Sequence, residues 1–216
     1  MTTNTKPISP ESGSDELERL AQEDIAKRRR FGGSVSALVL PAGEGQLAFR
    51  LAKMGCAVTG ADSADQERRF TGLALANGFR DEIRFAAFDY DTIPEDIPGG
   101  PFDLIICRRG LCRLPYGSAR TAVRRLLLEL KIGGKLYVSV LGLHSELGDN
   151  YPAIEEGIEH RFAVLADAMA EKYAMHYPVC LYTERNLFSL MLECGASVLR
   201  TFTTTHGNVK AVAVRV

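Results

Sequence analysis

Apolar residues along this chain recur with two different spacings. Continuous apolar runs of about four to eight residues predict buried strands, whereas apolar residues at roughly every third or fourth position predict amphipathic helices. From residue 35 onwards the two kinds of segment alternate, and short links separate each from the next. Such alternation is typical of an α/β fold with a doubly wound, mostly parallel sheet.

Up to residue 141 the pattern predicts five strands and four helices. The strands are residues 35–40, 57–60, 83–88, 102–107 and 135–141. The helices are residues 15–30, 46–54, 63–77 and 119–130. Each strand is followed by a loop at its carboxyl end, and this edge of a parallel sheet is where such folds bind ligands.

The alternation stops after residue 141. Residues 142–182 form a long excursion with one predicted helix at about 154–173, and a further helix is predicted at 184–193. Two strand-like segments, 197–204 and 209–216, are joined by the short link THGN. A short link that contains Gly and Asn is typical of a hairpin. We therefore expect the last strand to run antiparallel to the strand before it.

Composition favours one globular domain without a nucleic-acid or membrane partner. The 216 residues are 46% hydrophobic, which suits one domain with a full core. Residues 1–14 are polar and contain two prolines, so we predict a disordered tail followed by a single domain over 15–216. The formal net charge of -1 gives no electrostatic attraction to nucleic acid or to an anionic membrane. The basic run 27–30 ends a predicted helix, where cations complement the helix dipole.

The cysteine pattern and the absence of long apolar runs bear on location. The five cysteines include no C-x-x-C pair, which fits free thiols in a reducing cytosol. Cys107 and Cys112 have no histidine nearby, so we expect no zinc site. No apolar run approaches the roughly 18 residues of a membrane span, and the N-terminus lacks the apolar core of a signal peptide. We expect a cytoplasmic protein; its oligomeric state stays open.

A glycine turn between a strand and a helix is the first candidate for a cofactor site. Residues 37–55 read ALVLPAGEGQLAFRLAKMG. Gly43, Gly45 and Ala48 match the pattern G-x-G-x-x-A, which several cofactor classes share. Asp62, at the end of the next strand, could bind a ribose diol.

The acid within this turn helps to distinguish between cofactors. Glu44 stands where a pyrophosphate would lie against the helix N-terminus, and its carboxylate would repel that group. S-adenosylmethionine carries a sulfonium and no phosphate, so the Glu44 carboxylate weakens its binding little. An acid at a helix start also favours the helix dipole, and the two interpretations are compatible.

In this loop and in four later segments the sequence resembles the class I S-adenosylmethionine-dependent methyltransferases. The segments that carry the resemblance are VLPAGEGQLAFRLAKMGCAVTGAD, RFAAFDYDTIP, GPFDLIICRRGLCRLP, LLLELKIGGKLYVSV and YTERNLFSLMLECGASV. They cover residues 35–141 and, less closely, 180–216, and the first is most similar to the branch with tellurite-resistance-type methyltransferases. The resemblance implies a doubly wound, Rossmann-like sheet of seven strands, mostly parallel, with an antiparallel C-terminal strand.

The resemblance also implies roles for residues at the strand ends. Asp62 would accept hydrogen bonds from both ribose hydroxyls, and Asp89 would accept one from the adenine amino group. Phe88 and Tyr90 would flank the adenine ring. Asp62 could instead cap the helix 63–77, and Asp89 could be a solvated loop acid. The implied cofactor-binding set is Leu40, Pro41, Ala42, Gly43, Glu44, Gly45, Asp62, Ser63, Phe88, Asp89, Tyr90 and Arg108.

Residues for the methyl acceptor are expected beyond the cofactor loop. Arg109 would face the acceptor, and the excursion 142–182 would be a substrate lid. Within that excursion, Tyr151 and His160 are candidate substrate contacts. His144, just past the fifth strand, is the candidate general base, although a surface histidine fits the same position.

Two residues depart from the family's usual pattern. Val39 stands where an acid is usual, and Pro41 stands where the first loop glycine is usual. Proline fixes φ near about −65° and removes a backbone donor, so the loop must take another path. Losing a charge-assisted bond to the cofactor's ammonium costs about 1.5–3 kcal/mol, which weakens a micromolar site without abolishing it. Glu44 could supply a substitute carboxylate.

These observations favour methyl transfer from S-adenosylmethionine to a small molecule, with S-adenosylhomocysteine as product. The altered loop leaves an alternative, a catalytically inactive methyltransferase-like module that binds a partner. A third hypothesis, a nicotinamide-dependent oxidoreductase, requires dinucleotide binding. An open cleft faced by both Asp62 and Asp89 would favour catalysis, whereas a cleft filled by Val39 and Pro41 would not.

Overall fold

A computed structural model describes residues 16–216, so the predicted tail 1–14 lies outside the described residues. The strands are β1 Val35–Leu40, β2 Cys56–Asp62, β3 Ile83–Ala87, β4 Phe102–Arg108, β5 Leu130–Val140, β6 Ala196–Thr203 and β7 Val209–Arg215. The α-helices are α1 Glu16–Arg30, α2 Gln46–Lys53, α3 Glu67–Ala76, α4 Tyr116–Leu128, α5 Asp167–Tyr173 and α6 Glu184–Glu193. None of these helices is long and apolar enough to cross a membrane.

The strands form one seven-stranded sheet in the order β3-β2-β1-β4-β5-β7-β6. Strand β7 runs antiparallel to both of its neighbours, while the pairs among β1 to β5 are parallel. The predicted α/β sheet with its antiparallel C-terminal strand is confirmed. The order reverses between β1 and β4, and doubly wound sheets bind ligands in the crevice outside the carboxyl ends of such strands.

Helices cover the two sides of the sheet and bury its apolar side chains. Helices α1, α2 and α3 pack on one side, where Leu17, Ala21 and Ile25 anchor α1. Helices α4 and α6 and much of the excursion 142–182 belong to the second core. Strand β4 is buried along its length up to Arg108, as a central parallel strand requires.

The prediction of one helix over 154–173 is wrong. Only Asp167–Tyr173 is α-helical, and a short 3-10 turn spans Ile158–His160. Ala163, between these two elements, exchanges two backbone hydrogen bonds with Val179, which follows the helix, and these bonds hold the chain extended. These bonds connect distant parts of the excursion, so tertiary pairing overrides the local helical spacing.

A buried acid stabilises the end of the sheet away from the crevice. Asp103 accepts hydrogen bonds from the Ser36 amide at 2.9 Å and from Lys131 Nζ at 2.7 Å. Burial pushes the pKa of Asp103 upward, but the bonds from Lys131 and Ser36 outweigh it and hold the pKa below its usual value. The group therefore stabilises the fold while it is ionised.

Asp103→Asn is expected to lower the free energy of unfolding by about 1–3 kcal/mol at neutral pH, because a charged acceptor is lost. A carboxyl with a depressed folded pKa stabilises above its unfolded value and loses that contribution as pH falls through the folded value. Urea unfolding at pH 7 and pH 3 should show the difference from wild type shrinking at the lower pH. Asp81→Asn, at an exposed acid, is the control; an equal difference at both pH values would contradict the assignment.

Candidate cofactor and active site

The loop after β1 closes despite Pro41. Ala42 donates its amide hydrogen to the Ala61 carbonyl at 2.8 Å, which fastens the loop to β2. Gly43 and Gly45 take positive φ values of 52° and 83°, a conformation that side chains disfavour. The turn thus delivers the chain into α2, as the glycine pattern predicts.

Asp62 holds the glycine loop against the end of β2. Its Oδ2 accepts from the Gly43 amide at 2.9 Å, and its Oδ1 accepts from the Ser63 amide at 2.9 Å. The alternative role as a cap of the following helix does not fit, because Ser63 is the residue that precedes the 3-10 turn Ala64–Gln66 leading into α3. Each carboxylate oxygen keeps capacity for a further hydrogen bond.

A cavity of about 170 Å³ opens at the carboxyl edge of the sheet. Asp62 and Asp89 both line it, as the family resemblance implies. Among residues 16–216 the exposed Asp89 carboxylate has no hydrogen-bonding partner. The other lining residues are Leu40, Pro41, Tyr90, Arg108, Arg109, Gly110, Arg113, Leu141, Met175, Tyr177 and Val179.

An open recess of about 380 Å³ adjoins this cavity on the other side of the glycine loop. Pro41, Arg108 and Arg109 line both spaces, so the two spaces are neighbours around one wall. Val39 lies at the base of the recess and is 1% exposed, and neither it nor Pro41 fills the cleft. The cleft is therefore open, with both acids facing it.

Tyr90 presents a buried hydroxyl at the cavity wall. The hydroxyl lies beside Cys107 and makes no hydrogen bond of ordinary geometry to a described residue. Burial, with the neighbouring Cys107 and Asp62, raises the pKa of Tyr90 well above its usual value, so the group stays a neutral donor. A Cβ atom on Gly110 would overlap the Tyr90 ring, which explains why glycine stands there.

A buried acid on α1, which the sequence did not predict as a site residue, contacts the same wall of the cavity. Glu18 is fully buried, and its two oxygens accept hydrogen bonds from Arg108 Nη1 and Arg50 Nη2, both at 2.5 Å. A weak signal was present: Glu18 falls on the stripe that Ala21 and Ile25 continue at helical spacing, where a charge is unusual.

The excursion 142–182 supplies one wall of the cavity. Met175, Tyr177 and Val179 line it, and the Arg113 guanidinium lies 5.0 Å from the centre of the Tyr177 ring. Arg109 turns the chain at the end of β4 with a φ of 57°, while its amide still donates to the Ser139 carbonyl at 2.7 Å.

The three remaining candidates for the acceptor site lie apart from Asp62 and Asp89. His144 lines a different cavity, of about 510 Å³, between the loop after β5 and the β6–β7 turn. Tyr151 is buried, and its hydroxyl donates to the Val179 carbonyl at 2.6 Å, which braces the excursion. His160 is exposed and lines neither space at the glycine loop.

Other predicted cofactor residues divide between the cavity and the packing around it. Glu44 is exposed and forms an ion pair with Arg69, so its carboxylate is already engaged. Phe88 is buried in the core beneath the loop after β3. Within residues 16–216, His, Cys, Asp and Glu side chains form no cluster suited to a metal ion.

Comparison of the sequence with protein-family profiles and with curated proteins finds no match. Solved structures are similar in fold. A S-adenosylmethionine-dependent methyltransferase of Methanosarcina mazei is 19% identical with a TM-score of 0.67, over 88% of this chain and 97% of that one. The 1,6-didemethyltoxoflavin N1-methyltransferase of Burkholderia thailandensis, solved with bound 1,6-didemethyltoxoflavin and S-adenosylhomocysteine, is 17% identical with a TM-score of 0.62, over 93% of this chain and 78% of that one.

The cyclase SpnF is also similar, at 18% identity and a TM-score of 0.63 over 92% of this chain and 81% of that one. The chain therefore has the fold of the class I S-adenosylmethionine-dependent methyltransferases. Because the same fold also serves a cyclase, the residues of the site must carry any conclusion about activity.

Proposed function

We propose that the chain binds S-adenosylmethionine at the loop after β1 and transfers the methyl group to a small-molecule acceptor. One observation carries the proposal: Asp62 and Asp89 line the same open cavity at the switch point of the sheet. Asp62 is tied to the glycine loop by the Gly43 amide, so an adenosine ligand would contact both.

The adenosine half of the cofactor fits the residues present. Asp62 has acceptor capacity for the vicinal ribose hydroxyls, and Asp89 can accept from the adenine amino group. The unpartnered Tyr90 hydroxyl offers a buried donor at the same wall. Leu40 and Leu141 supply apolar surface for a purine ring.

The amino-acid half fits less closely, because the recess lacks the usual acid. Val39 replaces that acid, and Glu44, the carboxylate among the described residues lining the recess, is paired with Arg69. We expect weaker binding of the ammonium by about 1.5–3 kcal/mol, the typical value of a hydrogen bond to a charged group. That loss moves a micromolar site to higher micromolar and does not abolish it.

The bound cofactor would supply an electrophilic methyl group on its sulfonium, so the protein mainly needs to align the acceptor and exclude water. Met175 and Tyr177, from the excursion, would close the cavity over the acceptor, with Arg109 as its candidate contact. His144 would act as general base only for an acceptor that extends into the cavity after β5. Tyr151 would then act indirectly, by bracing the excursion.

Titration calorimetry with S-adenosylmethionine and S-adenosylhomocysteine tests the proposal first. We expect dissociation constants between micromolar and tens of micromolar, because the adenosine contacts are intact. NAD is the matched control, and we expect no heat with it. The proposal is wrong if neither adenosyl compound gives heat or a thermal shift at millimolar concentration.

A second candidate function is a catalytically inactive module that keeps the fold. The departures at Val39 and Pro41 favour it, since both lie in the loop that would hold the cofactor. Binding of both adenosyl compounds without methyl transfer to any acceptor tried would support this function over catalysis.

A further inference from the structure

We infer that Arg108 binds the carboxylate at the amino-acid end of an adenosyl ligand, and that Glu18 is the positioning residue that holds Arg108 for this task. The inference rests on the proposed function, because it places such a ligand in the cleft. Under this inference the protein recognises the carboxylate of the ligand. An acid at the position of Val39 would instead have recognised the ammonium of the ligand.

The position of Arg108 supports this role. It is the last residue of β4, at the switch point, and it lines both the cavity with Asp62 and the recess beyond the glycine loop. A ligand that places its ribose at Asp62 and continues past Pro41 would bring its far end to this guanidinium. The side chain is 26% exposed, so its ion pair with Glu18 does not seal it off from solvent.

The charge around Arg108 favours an anion. The Glu18 carboxylate is shared between Arg108 and Arg50, so the three groups carry one net positive charge. Glu18 is fully buried, so solvent and salt screen its interaction with the two arginines less than they screen a surface ion pair. An ammonium placed next to Arg108 would be repelled, whereas a carboxylate would be attracted.

The geometry of the guanidinium allows it to serve two partners. Arg108 donates to Glu18 through Nη1, and a guanidinium has further N–H groups in its planar fork. These remaining donors can engage a second carboxylate in a charge-assisted pair. Glu18 is itself fixed by the buried face of α1, through Leu17 and Ala21. The orientation of the Arg108 side chain therefore depends on Glu18 of α1 and not on the residues next to Arg108 in the sequence.

The test compares two ligands that differ only in the carboxylate, S-adenosylhomocysteine and its decarboxylated analogue. For the wild type we expect the carboxylate to strengthen binding by about tenfold to a hundredfold, the usual worth of a hydrogen bond to a charged group. In Arg108→Met we expect the two ligands to bind equally, because the guanidinium that distinguishes them is gone.

Arg113→Met is the matched control, since Arg113 also lines the cavity but lies by Tyr177, away from the recess. It should keep the wild-type ratio of the two affinities. Glu18→Asp tests positioning: the charge stays on α1, but the shorter side chain cannot reach both arginines. We expect it to reduce the ratio several-fold, which a loss of stability alone would not do.

The outcomes separate this inference from the proposed function. If neither ligand binds the wild type, both fail. If both bind the wild type equally, the adenosine site stands and Arg108 has no role in recognising the carboxylate. If Arg113→Met instead makes the two ligands bind equally, the carboxylate lies at the Arg113 end of the cavity. If Arg108→Met tightens binding, the guanidinium occupies the place of the ligand's ammonium. Each of these results overturns the inference.

Discussion

Asp62→Ala is expected to bind S-adenosylhomocysteine at least about tenfold more weakly than the wild type, the equivalent of a lost charged hydrogen-bond pair. Two effects add. The ribose hydroxyls lose their acceptor, and the Gly43 amide loses the bond that fastens the glycine loop to β2. Titration calorimetry on the purified variant measures the change.

Two comparisons show which effect dominates. Asp65→Ala is the matched control, because Asp65 is an exposed acid in the next turn, bonded to Ser63 and Gln66, and it lines neither space at the loop. A 2′-deoxy analogue of S-adenosylhomocysteine should bind the wild type more weakly than S-adenosylhomocysteine does. In Asp62→Ala the two compounds should bind equally well. An unchanged dissociation constant in Asp62→Ala would refute the ribose role.

Gly110→Ala is expected to destabilise the fold and distort the cavity, since the added methyl group would overlap the Tyr90 ring. Overpacking of this kind costs about 1–3 kcal/mol. For a domain of this size the Tm should fall by roughly 2–12 °C, at about 2–4 °C per kcal/mol. Differential scanning calorimetry measures the shift, and the same sample should bind S-adenosylhomocysteine more weakly.

The backbone of Gly110 is ordinary, with a φ of -72°, so the effect comes from the ring and not from conformational strain. Gly72→Ala is the matched control: Gly72 lies in α3 with nothing near its missing side chain, and alanine should raise stability by about 0.5–1 kcal/mol there. In Gly110→Ala/Tyr90→Leu the destabilisation should be less than the sum of the single changes, because the overlapping ring atoms are gone. If the losses of unfolding free energy in the two single variants simply add in the double variant, the cost of Gly110→Ala does not come from overlap with the Tyr90 ring.

Much of the fold follows from local pattern. All five strands of the alternating part are found at the predicted apolar runs, although β5 begins earlier than predicted, at Leu130. The run of β4 is continuous because a central parallel strand is buried on both faces. The short link THGN predicts the hairpin that makes β7 antiparallel. In contrast, the helical spacing over 154–173 misleads, because long-range pairing of Ala163 with Val179 supplies backbone bonds that a helix would otherwise supply.

The candidate site divides in the same way. Asp62 and Asp89 could be predicted, because acids at or just beyond the carboxyl ends of parallel strands meet at one edge of the sheet. His144 and His160 do not line the cavity with Asp62 and Asp89, and their places could not be predicted, since residues of a long excursion have no register with the strands. Their positions depend on how the excursion folds back over the sheet.

The order of the elements, the mostly parallel sheet and the edge at which two acids meet can be predicted from the residues alone, because apolar spacing, glycine turns and strand ends are local properties. The surroundings of those acids depend on how the elements pack in three dimensions. The Glu18–Arg108 ion pair joins residues 90 positions apart, and Tyr90 fits only over the missing side chain of Gly110. Such contacts leave no period in the sequence, since they arise where the packing of α1 and of the loops brings distant side chains together.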